Sequence, residues 1–354
     1  MSPTTFDQRS GQLLLVGFEG KVAPPALLER IAAGRVGGVI LFTRNLGEPA
    51  EVASLNAALQ AATPAGDPPL IISVDQEGGR VQRIRAPNTV WPAMSRVGAQ
   101  GDEAYTAAVG RALGGEIASL GFNVDYAPIL DVHTNPDNPI IGDRAFGTEP
   151  RAATAQALAF WRGLESSGVR GCGKHFPGHG DTATDSHLEL PRVDHGEPRL
   201  REIELAPFAA AARAGVPMLM TAHVVYPAID ARPATMSRRW LTEILRGELG
   251  YRGVVVSDDL DMKAVADRYP VEETVVQGLL AGVDCFLACR DPEVQARAEA
   301  ALDRAIADDA TARARYEESV GRVRAFRATL LREAATGVVD RTAHAALAGR
   351  ARGG

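Results

Sequence analysis

The sequence predicts an α/β fold, a (β/α)8 TIM barrel in a single domain, and three observations lead to it. Eight short apolar runs alternate with alanine- and leucine-rich segments of helical spacing, which implies right-handed crossovers and a parallel sheet. Most of the runs are continuously apolar, as strands covered on both faces require. Eight such units in about 300 residues fit a closed barrel better than the alternative, an open doubly wound sheet.

The predicted elements follow one another at regular intervals. The strands span residues 12–17, 38–42, 70–74, 122–127, 171–175, 218–223, 253–257 and 283–288. The clearest helices between them span residues 49–62, 103–120, 150–167 and 200–214. Residues 291–354 are expected to add helices outside the barrel, starting near Pro292, and a tail that frays from Gly349. The whole chain, 1–354, is therefore expected to be one catalytic barrel domain.

The composition is that of an ordinary globular protein and excludes several classes of function. Hydrophobic residues make up 45% of the chain and charged residues 23%, and the formal net charge is −6. Because no basic tract stands out, neither nucleic acid nor an anionic membrane surface is expected as a partner. No apolar run approaches the ~20 residues that cross a bilayer. Residues 1–11 lack the apolar core of a signal peptide, so we expect a cytoplasmic protein.

Ionisable residues collect where five consecutive predicted strands end. The third to seventh strands end, in order, at Asp75; at Asp131 and Arg144; at Lys174 and His175; at His223; and at Asp258 and Asp259. Because the loops that follow barrel strands share one face, these side chains are expected to meet there. The sequence therefore predicts an active site at the carboxyl ends of the strands.

The loop after the fifth strand carries the densest set of reactive groups. Residues 174–187 include one lysine, three histidines and two aspartates, separated by glycines and by Pro177, which breaks a helix. Asp185 is near enough in sequence to hydrogen-bond one imidazole nitrogen of His187, which fixes the tautomer and raises basicity. The other nitrogen is then free to exchange a proton with a substrate, although a purely structural histidine is the alternative. His179 either joins this chemistry or holds the loop by hydrogen bonds.

Two adjacent acids, Asp258 and Asp259, follow a buried run of valines. Asp258 is expected to point from its strand into the mouth of the barrel, where a carboxylate can attack carbon or bind a metal. For Asp259, capping of the next helix is an equally good interpretation.

Ligand-binding groups are expected on the third, fourth and fifth strands. Asp75 precedes two glycines that allow close backbone approach, and its carboxylate suits a pair of vicinal hydroxyls. Arg83 lies eight residues further on and could reach the same ligand. Three further donors could converge on a polyhydroxylated or anionic ligand, or form structural ion pairs with Asp131 or Asp143; they are Arg144, Lys174 and His175. For His223, the sequence does not decide between a position in the core and a position at the rim of the barrel.

Two of the chemistries compatible with these residues fit them poorly. A metal-dependent hydrolase could use His175, His179, His187 and Asp258, but the first predicted strand ends without a histidine, and Pro177 prevents a helical His-His pair. The three cysteines, Cys172, Cys285 and Cys289, lack metal-finger spacing and are expected to be reduced thiols packed in strands. A non-catalytic sugar-binding barrel would leave Asp185 and His187 unexplained.

The third chemistry is glycosyl transfer through a covalent intermediate. A carboxylate attacks the anomeric carbon from one side, and a donor on the other side protonates the leaving oxygen and then deprotonates water. That donor is a carboxyl group in most such enzymes, ~5–5.5 Å from the nucleophile. Here His187 would replace it as an imidazolium, which Asp185 and the negative nucleophile would both stabilise.

In five segments, this sequence resembles bacterial β-N-acetylglucosaminidases (β-hexosaminidases) of glycoside hydrolase family 3, the NagZ type. The segments are Val-Asp-Gln-Glu-Gly-Gly-Arg-Val at 74–81, Ala-Pro-Ile-Leu-Asp-Val at 127–132, Asn-Pro-Ile-Ile-Gly-Asp-Arg-Ala-Phe-Gly at 138–147, the Lys-His-Phe-Pro-Gly-His-Gly-Asp block with Asp-Ser-His at 174–187, and Ser-Asp-Asp-Leu at 257–260. The similarity runs in order from about residue 12 to residue 288.

The resemblance implies a barrel enzyme without a cofactor or a metal. It implies that Asp258 is the nucleophile and that His187, oriented by Asp185, is the general acid/base. The residues implied to hold N-acetylglucosamine are Asp75, Arg83, Arg144, Lys174 and His175. Asp261 departs from the family pattern, in which a small residue is common at this position.

The implied reaction removes terminal N-acetylglucosamine, with retention, from muropeptides during cell-wall recycling in the cytoplasm. The acetamido specificity comes from the resemblance alone. A histidine donor does not repel phosphate as a carboxylate would, so phosphorolysis is the second hypothesis. The expected partners are N-acetylglucosamine-containing sugars, and the protein itself is expected to be a monomer or a weak dimer.

Overall fold

Eight parallel strands close on themselves in a computed structural model that describes residues 10–183, 190–336 and 339–351. The strands are β1 (Leu14–Val16), β2 (Gly38–Leu41), β3 (Ile71–Val74), β4 (Val124–Asp125), β5 (Arg170–Phe176), β6 (Met218–Thr221), β7 (Val254–Asp259) and β8 (Cys285–Ala288). Each pairs with its neighbours in chain order, and β8 pairs with β1 in the register Leu14–Phe286. The predicted (β/α)8 barrel is confirmed, and the doubly wound alternative is wrong.

Helices follow the strands and form the outer layer. They are α1 (Pro25–Ala32), α2 (Pro49–Ala61), α3 (Glu103–Ala118), α4 (Pro150–Glu165), α5 (Ala206–Ala214), α6 (Arg239–Glu248, π-helical), α7 (Val271–Ala281), α8 (Pro292–Asp308), α9 (Ala310–Arg327) and α10 (Arg341–Arg350). Shorter helical pieces are Ser10–Leu13, Thr43–Asn45, Met94–Gly98, Gly142–Arg144, Glu197–Arg199, Leu200–Glu204, Ala234–Met236 and Lys263–Ala266. Of the helices described, none combines the length and the apolar character that crossing a membrane requires.

The observed strands are mostly shorter than predicted, and the fourth differs most. Only Val124 and Asp125 belong to β4, although the Tyr126 N–H still donates to the carbonyl oxygen of Val74 and residues 127–130 keep backbone hydrogen bonds to β5. Pro128 has no N–H to donate to a ladder. In contrast, β7 continues through Asp259, two residues beyond its predicted end at residue 257. The strand itself therefore carries Asp258 to the carboxyl end of the barrel.

Sequence analysis missed a small hairpin directly after β3. Residues Gln76–Gly78 pair antiparallel with Val81–Gln82, and Gly78 and Gly79 have φ angles of 97° and 58°. These positive angles are those of a tight hairpin turn, which strongly favours glycine. A Cβ atom on Gly79 would also lie 2.8 Å from the Cα atom of Ala93. The hairpin turns the chain so that Asp75, Glu77 and Arg83 all face the same end of the barrel.

The core lies inside the barrel and between the sheet and the helices. Every residue of β2, β3, β6 and β8 is buried, which explains why these strands read as continuous apolar runs. Cys172 lies in β5 and Cys285 in β8, and both are buried free thiols, as predicted. Cys289, also a buried free thiol, lies just after β8. Because the strands are packed on both faces, the barrel is a rigid support for the loops at its ends.

A buried carboxylate joins strands and helices at the amino end of the barrel. Asp284 directly precedes β8 and is fully buried. Its Oδ2 accepts hydrogen bonds from the Arg246 guanidinium of α6 at 2.6 Å and from the backbone N–H of Val255 in β7 at 2.9 Å. Its Oδ1 accepts from Arg322 at 2.8 Å and from Ser319 at 2.9 Å, both in α9. Asp284 therefore joins the start of β8 to β7, α6 and α9 at the amino end of the barrel.

The C-terminal segment packs on the barrel through α10. Helix α8 begins at Pro292 as predicted, and α10 continues through Arg350, into the segment for which the composition predicts fraying. The Arg350 guanidinium pairs with Asp102 at 2.8 Å and lies 4.3 Å from the centre of the Tyr105 ring. The last three residues, 352–354, lie outside the described residues. Contacts with α3 and its N-cap thus order a chain end whose composition predicts fraying.

Candidate active site

A cavity of about 480 Å³ opens where the carboxyl ends of the strands meet. Its lining includes residues from the ends of β2, β3, β5, β7 and β8 and from the loop after β4. Among the predicted site residues, the structure brings six together in this lining: Asp75, Arg83, Arg144, Lys174, His175 and Asp258. The other two, Asp185 and His187, lie outside the described residues, so their roles stay predictions.

Asp75 is paired with two cations on one side of the cavity. Its Oδ1 lies 2.7 Å from the Lys174 ammonium, and its Oδ2 lies 3.4 Å from the Arg83 guanidinium. The Asp75 side chain is 15% exposed and the Arg83 side chain 29%, so both remain within reach of a ligand. The predicted approach of Arg83 to the same ligand as Asp75 therefore has a structural basis.

Glu77 is a central residue of the site, and sequence analysis gave it no role. Its carboxylate accepts two hydrogen bonds of 2.8 Å from the Arg144 guanidinium, and it lies 2.6 Å from the Lys174 ammonium. Its side chain is 1% exposed. The spacing in the sequence could have predicted its position, because Glu77 stands two residues after Asp75 and residues two apart lie on the same face of an extended chain. Arg144 and Lys174 do form ion pairs, but with Glu77 rather than with Asp131 or Asp143.

The charges of this network stabilise one another. Burial raises the pKa of Glu77, but Arg144 and Lys174 outweigh burial and hold that pKa far below its usual range. Burial likewise lowers the pKa of Lys174, yet the carboxylates of Asp75 and Glu77 keep it above the usual lysine value. Glu77 and Lys174 are therefore both ionised at neutral pH. Removing one partner from such a buried pair typically costs ~3–5 kcal/mol, because the other charge is left uncompensated.

His175 is held in place by a buried aspartate. Its Nδ1 lies 2.7 Å from Oδ2 of Asp131. The two oxygens of Asp131 share the backbone N–H of His175, and Oδ1 also accepts the backbone N–H of His179 at 2.6 Å. The structural pairing with Asp131 that the sequence suggested is therefore present for His175. This bond fixes the orientation of the ring, whose edge lies in the cavity wall.

His179 is also built into the loop. Its Nδ1 lies 2.7 Å from the Thr182 hydroxyl, and the imidazole rings of His175 and His179 are 5.8 Å apart, edge to face. Burial lowers the pKa of His179 to about 4, so this ring is neutral at pH 7. The loop-holding role considered for His179 is supported, although its ring also lines the cavity.

Asp258 lies in the lining of the cavity and is ionised. Burial raises its pKa, but His175 and His223 oppose that effect and the pKa falls below the usual aspartate value. Its Oδ1 accepts the backbone N–H of Asp259 at 2.8 Å, the one hydrogen bond to this carboxylate from the described residues. One oxygen is thus fixed by the backbone, and the other has no donor within the described ranges.

The neighbours of Asp258 fix the loops around it. Asp259 does not cap the next helix, because its Oδ1 accepts the backbone N–H groups of Asp261 and Cys289, each at 3.1 Å. Asp261 in turn accepts the N–H of Arg290 at 2.7 Å. His223 is buried behind this strand end, and its Nε2 lies 3.2 Å from the carbonyl oxygen of Asp259. Asp261, which departs from the family pattern, thus helps join the β7 loop to the β8 loop.

The arrangement suits a polyhydroxylated ligand that reacts at one carbon. Asp75, Arg83 and Lys174 supply hydrogen-bond acceptors and donors on one side, and Asp258 supplies an ionised carboxylate elsewhere in the same cavity. Among the described residues, no group of three or more histidines, cysteines or acids is arranged to hold a metal ion. What this site offers chemically is a carboxylate held by the backbone in the same cavity as a set of hydrogen-bonding and charged groups.

The sequence matches one protein family over most of its length. Residues 5–326 match the family described as glycosyl hydrolase family 3 N terminal domain. A β-hexosaminidase of Alkalilimnicola ehrlichii is 42% identical over 286 residues, which cover 79% of this chain and 81% of that protein. β-Hexosaminidase A of Pseudoalteromonas piscicida is 41% identical over 80% of this chain, but this chain spans only about half (54%) of that protein's length.

Solved structures give the same result. A family 3 β-N-acetylglucosaminidase from Paenibacillus sp. superposes with a TM-score of 0.91 at 41% identity, covering 99% of this chain and 68% of that one. NagZ from Neisseria gonorrhoeae, in complex with N-trifluoroacetyl-D-glucosamine, superposes with a TM-score of 0.78 at 32% identity, covering 96% and 98% of the two chains. This chain is therefore similar to these proteins in its barrel fold as well as in its sequence.

The substitution Asp259→Asn should change how stability depends on pH. Burial and Asp261 raise the pKa of Asp259 to about 6, from 3.8 for an ordinary aspartate. Between these values the folded protein binds more protons than the unfolded chain, so the wild type loses stability as pH rises from about 4 to about 6. The amide can accept both N–H groups without a charge. Its stability relative to the wild type should therefore increase by ~1–2 kcal/mol across this window.

Thermal unfolding of the two proteins at pH 4, 5, 6 and 7 measures this effect. Asp267→Asn, which changes an exposed acid eight residues away, is the matched control and should show no such trend. A stability difference that is the same at all four pH values would contradict the prediction.

Proposed function

Because the chain belongs to glycosyl hydrolase family 3, we propose that it is a retaining exo-β-N-acetylglucosaminidase acting through a covalent glycosyl-enzyme intermediate. Its proposed substrates are peptidoglycan fragments that carry a terminal N-acetylglucosamine on anhydro-N-acetylmuramic acid. The proposed setting is cell-wall recycling in the cytoplasm. The relatives' names support the sugar, since they are β-hexosaminidases and β-N-acetylglucosaminidases.

One observation carries the proposal. The ionised carboxylate of Asp258 lies in the lining of the cavity, and one of its two oxygens accepts no hydrogen bond from the described residues. A nucleophile must be deprotonated and held still at the anomeric carbon. The lowered pKa of Asp258 meets the first requirement, since His175, His223 and the hydrogen bond from the Asp259 N–H together outweigh the effect of burial. The bond from the Asp259 N–H meets the second, because it fixes one oxygen and directs the other.

The sugar would be held by groups that the structure keeps charged and oriented. Asp75 accepts hydrogen bonds from two sugar hydroxyls, while Lys174 and Arg83 beside it donate to the same hydroxyl oxygens. His175, oriented by Asp131, donates or accepts through its second nitrogen. Arg144 is bound by Glu77 on both guanidinium nitrogens that face it, so its contribution is to orient the network and to supply charge.

The proposed reaction has two steps. In the first, Asp258 forms an ester bond with C1 of the sugar, the bond from C1 to the leaving oxygen breaks, and His187 transfers its proton to that oxygen. In the second, His187 takes a proton from water, the water oxygen bonds to C1, and the ester breaks. Asp185 is assigned to orienting His187 and stabilising its imidazolium form. Two inversions at C1 give net retention.

Asp258→Ala should abolish nearly all hydrolysis while the protein stays folded, because the carboxylate that forms the ester is gone. With the wild type, a slow 2-acetamido fluorosugar should add its mass to a peptide that contains Asp258, as measured by mass spectrometry. Asp261→Asn is the matched control, since Asp261 also lies in the cavity lining but should not be labelled. A label on any other peptide would overturn the nucleophile assignment.

His187→Ala should reduce turnover strongly for natural disaccharides and much less for aryl glycosides with good leaving groups. General acid catalysis is typically worth ~10²–10⁴-fold, and a leaving group of low pKa needs less of it. Comparing kcat/KM for a series of aryl β-N-acetylglucosaminides with the two proteins gives the leaving-group dependence. An equal loss for every substrate would argue against proton donation by His187.

Hydrolysis and phosphorolysis differ in their products. If the proposal holds, the enzyme releases free N-acetylglucosamine, and millimolar phosphate leaves the product unchanged. Accumulation of N-acetylglucosamine 1-phosphate would instead assign a phosphorylase, which the imidazole donor makes chemically feasible because it does not repel phosphate. Proton and phosphorus NMR of the reaction mixture distinguishes the two sugars directly.

A further inference from the structure

We propose that the enzyme selects substrates whose leaving group carries a carboxylate, and that Lys263 and Arg290 at the mouth of the cavity bind that carboxylate. This inference rests on the proposed function and specifies the class of leaving group. It is carried by the distribution of paired and unpaired charges around the cavity.

The cations deeper in the cavity are all paired with carboxylates of the protein. Lys174 lies within 2.7 Å of Asp75 and within 2.6 Å of Glu77, and Arg144 bonds to both oxygens of Glu77. Arg83 pairs with Asp75 at 3.4 Å. Because each of these charges is already compensated, this part of the cavity suits the neutral sugar and offers no unpaired cation to an anion.

Lys263 and Arg290 differ from the inner cations. Both residues are exposed and both line the cavity. Within the part of the chain that the structure describes, neither side chain forms an ion pair or a hydrogen bond. The acids near them in sequence bind backbone N–H groups. Asp291 caps α8 by accepting the N–H of Glu293, and Asp259 and Asp261 accept the N–H groups of residues 289 and 290.

The two cations are held on the same side of the mouth. Lys263 follows the nucleophile strand β7, and Arg290 follows the adjacent strand β8. The hydrogen bond of 2.7 Å from the Arg290 N–H to Asp261 joins the two loops just where these side chains begin. A leaving group that extends from Asp258 past this side of the mouth would therefore meet two positive charges.

The charge balance of the lining supports the same conclusion. The lining has five carboxylates, of Asp75, Glu77, Asp258, Asp259 and Asp261, and five cations, of Arg83, Arg144, Lys174, Lys263 and Arg290. Without Lys263 and Arg290 the cavity would be negative and would repel an anionic substrate. A neutral leaving group would require no such compensation. The acid side chains of a muropeptide are the proposed source of the carboxylate.

The test compares two aryl β-N-acetylglucosaminides that differ only in a para carboxylate or a para carboxamide. We expect the double variant Lys263→Met, Arg290→Gln to lower kcat/KM for the carboxylate substrate about five- to tenfold, as for exposed charge contacts. The carboxamide substrate should be unaffected. Raising the ionic strength to about 1 M should reduce the difference, because salt screens exposed charges.

Arg268→Gln is the matched control, because Arg268 is an exposed cation near Lys263 that does not line the cavity. Its kinetics should equal those of the wild type with both substrates. Equal losses for both substrates in the double variant, or no loss for either, would overturn the inference. If the wild type hydrolyses neither substrate, the proposed function itself fails, which is a distinguishable result.

Discussion

A buried network of opposite charges, Asp75–Lys174–Glu77–Arg144, is the constraint on which the candidate site depends. It joins the hairpin after β3, the loop after β4 and strand β5 through side-chain ion pairs, in addition to the backbone pairing of the strands. Each charge is largely removed from water, so each is tolerable only because the others are present. The same network therefore positions the side chains that we propose to bind the sugar, and a change in one member alters the surroundings of the others.

Much of the fold and part of the site follow from local sequence patterns. The continuous apolar runs predicted all eight barrel strands, and residues such as Asp75, Lys174 and Asp258 were found because they end strands. Glu77 was missed because its importance comes from Arg144, which lies 67 residues away in the sequence. The role of Asp259 was missed for a similar reason, since one of its partner N–H groups belongs to Cys289, 30 residues away and just after β8. Local propensity carries no information about such pairings.

The C-terminal helix α10 also depends on contacts that local sequence patterns do not predict. Composition predicts that residues 349–351 fray, yet Arg350 reaches Asp102 and Tyr105, and His344 lies 2.8 Å from the buried Glu116. A short helix of low apolar content is marginal on its own. Here it is stabilised by partners on and next to α3, contacts that exist only once the barrel has formed.

The candidate site lies at the carboxyl end of the barrel and the Asp284 ion pairs lie at the amino end. This separation is useful for protein engineering. At the amino end, Asp284 binds Arg246 and Arg322, and none of the three is among the residues that line the cavity. Replacing the β7 and β8 loops with those of a relative would therefore leave the ion pairs of Asp284 intact. New leaving-group preferences could be installed in this way without re-optimising the framework that carries them.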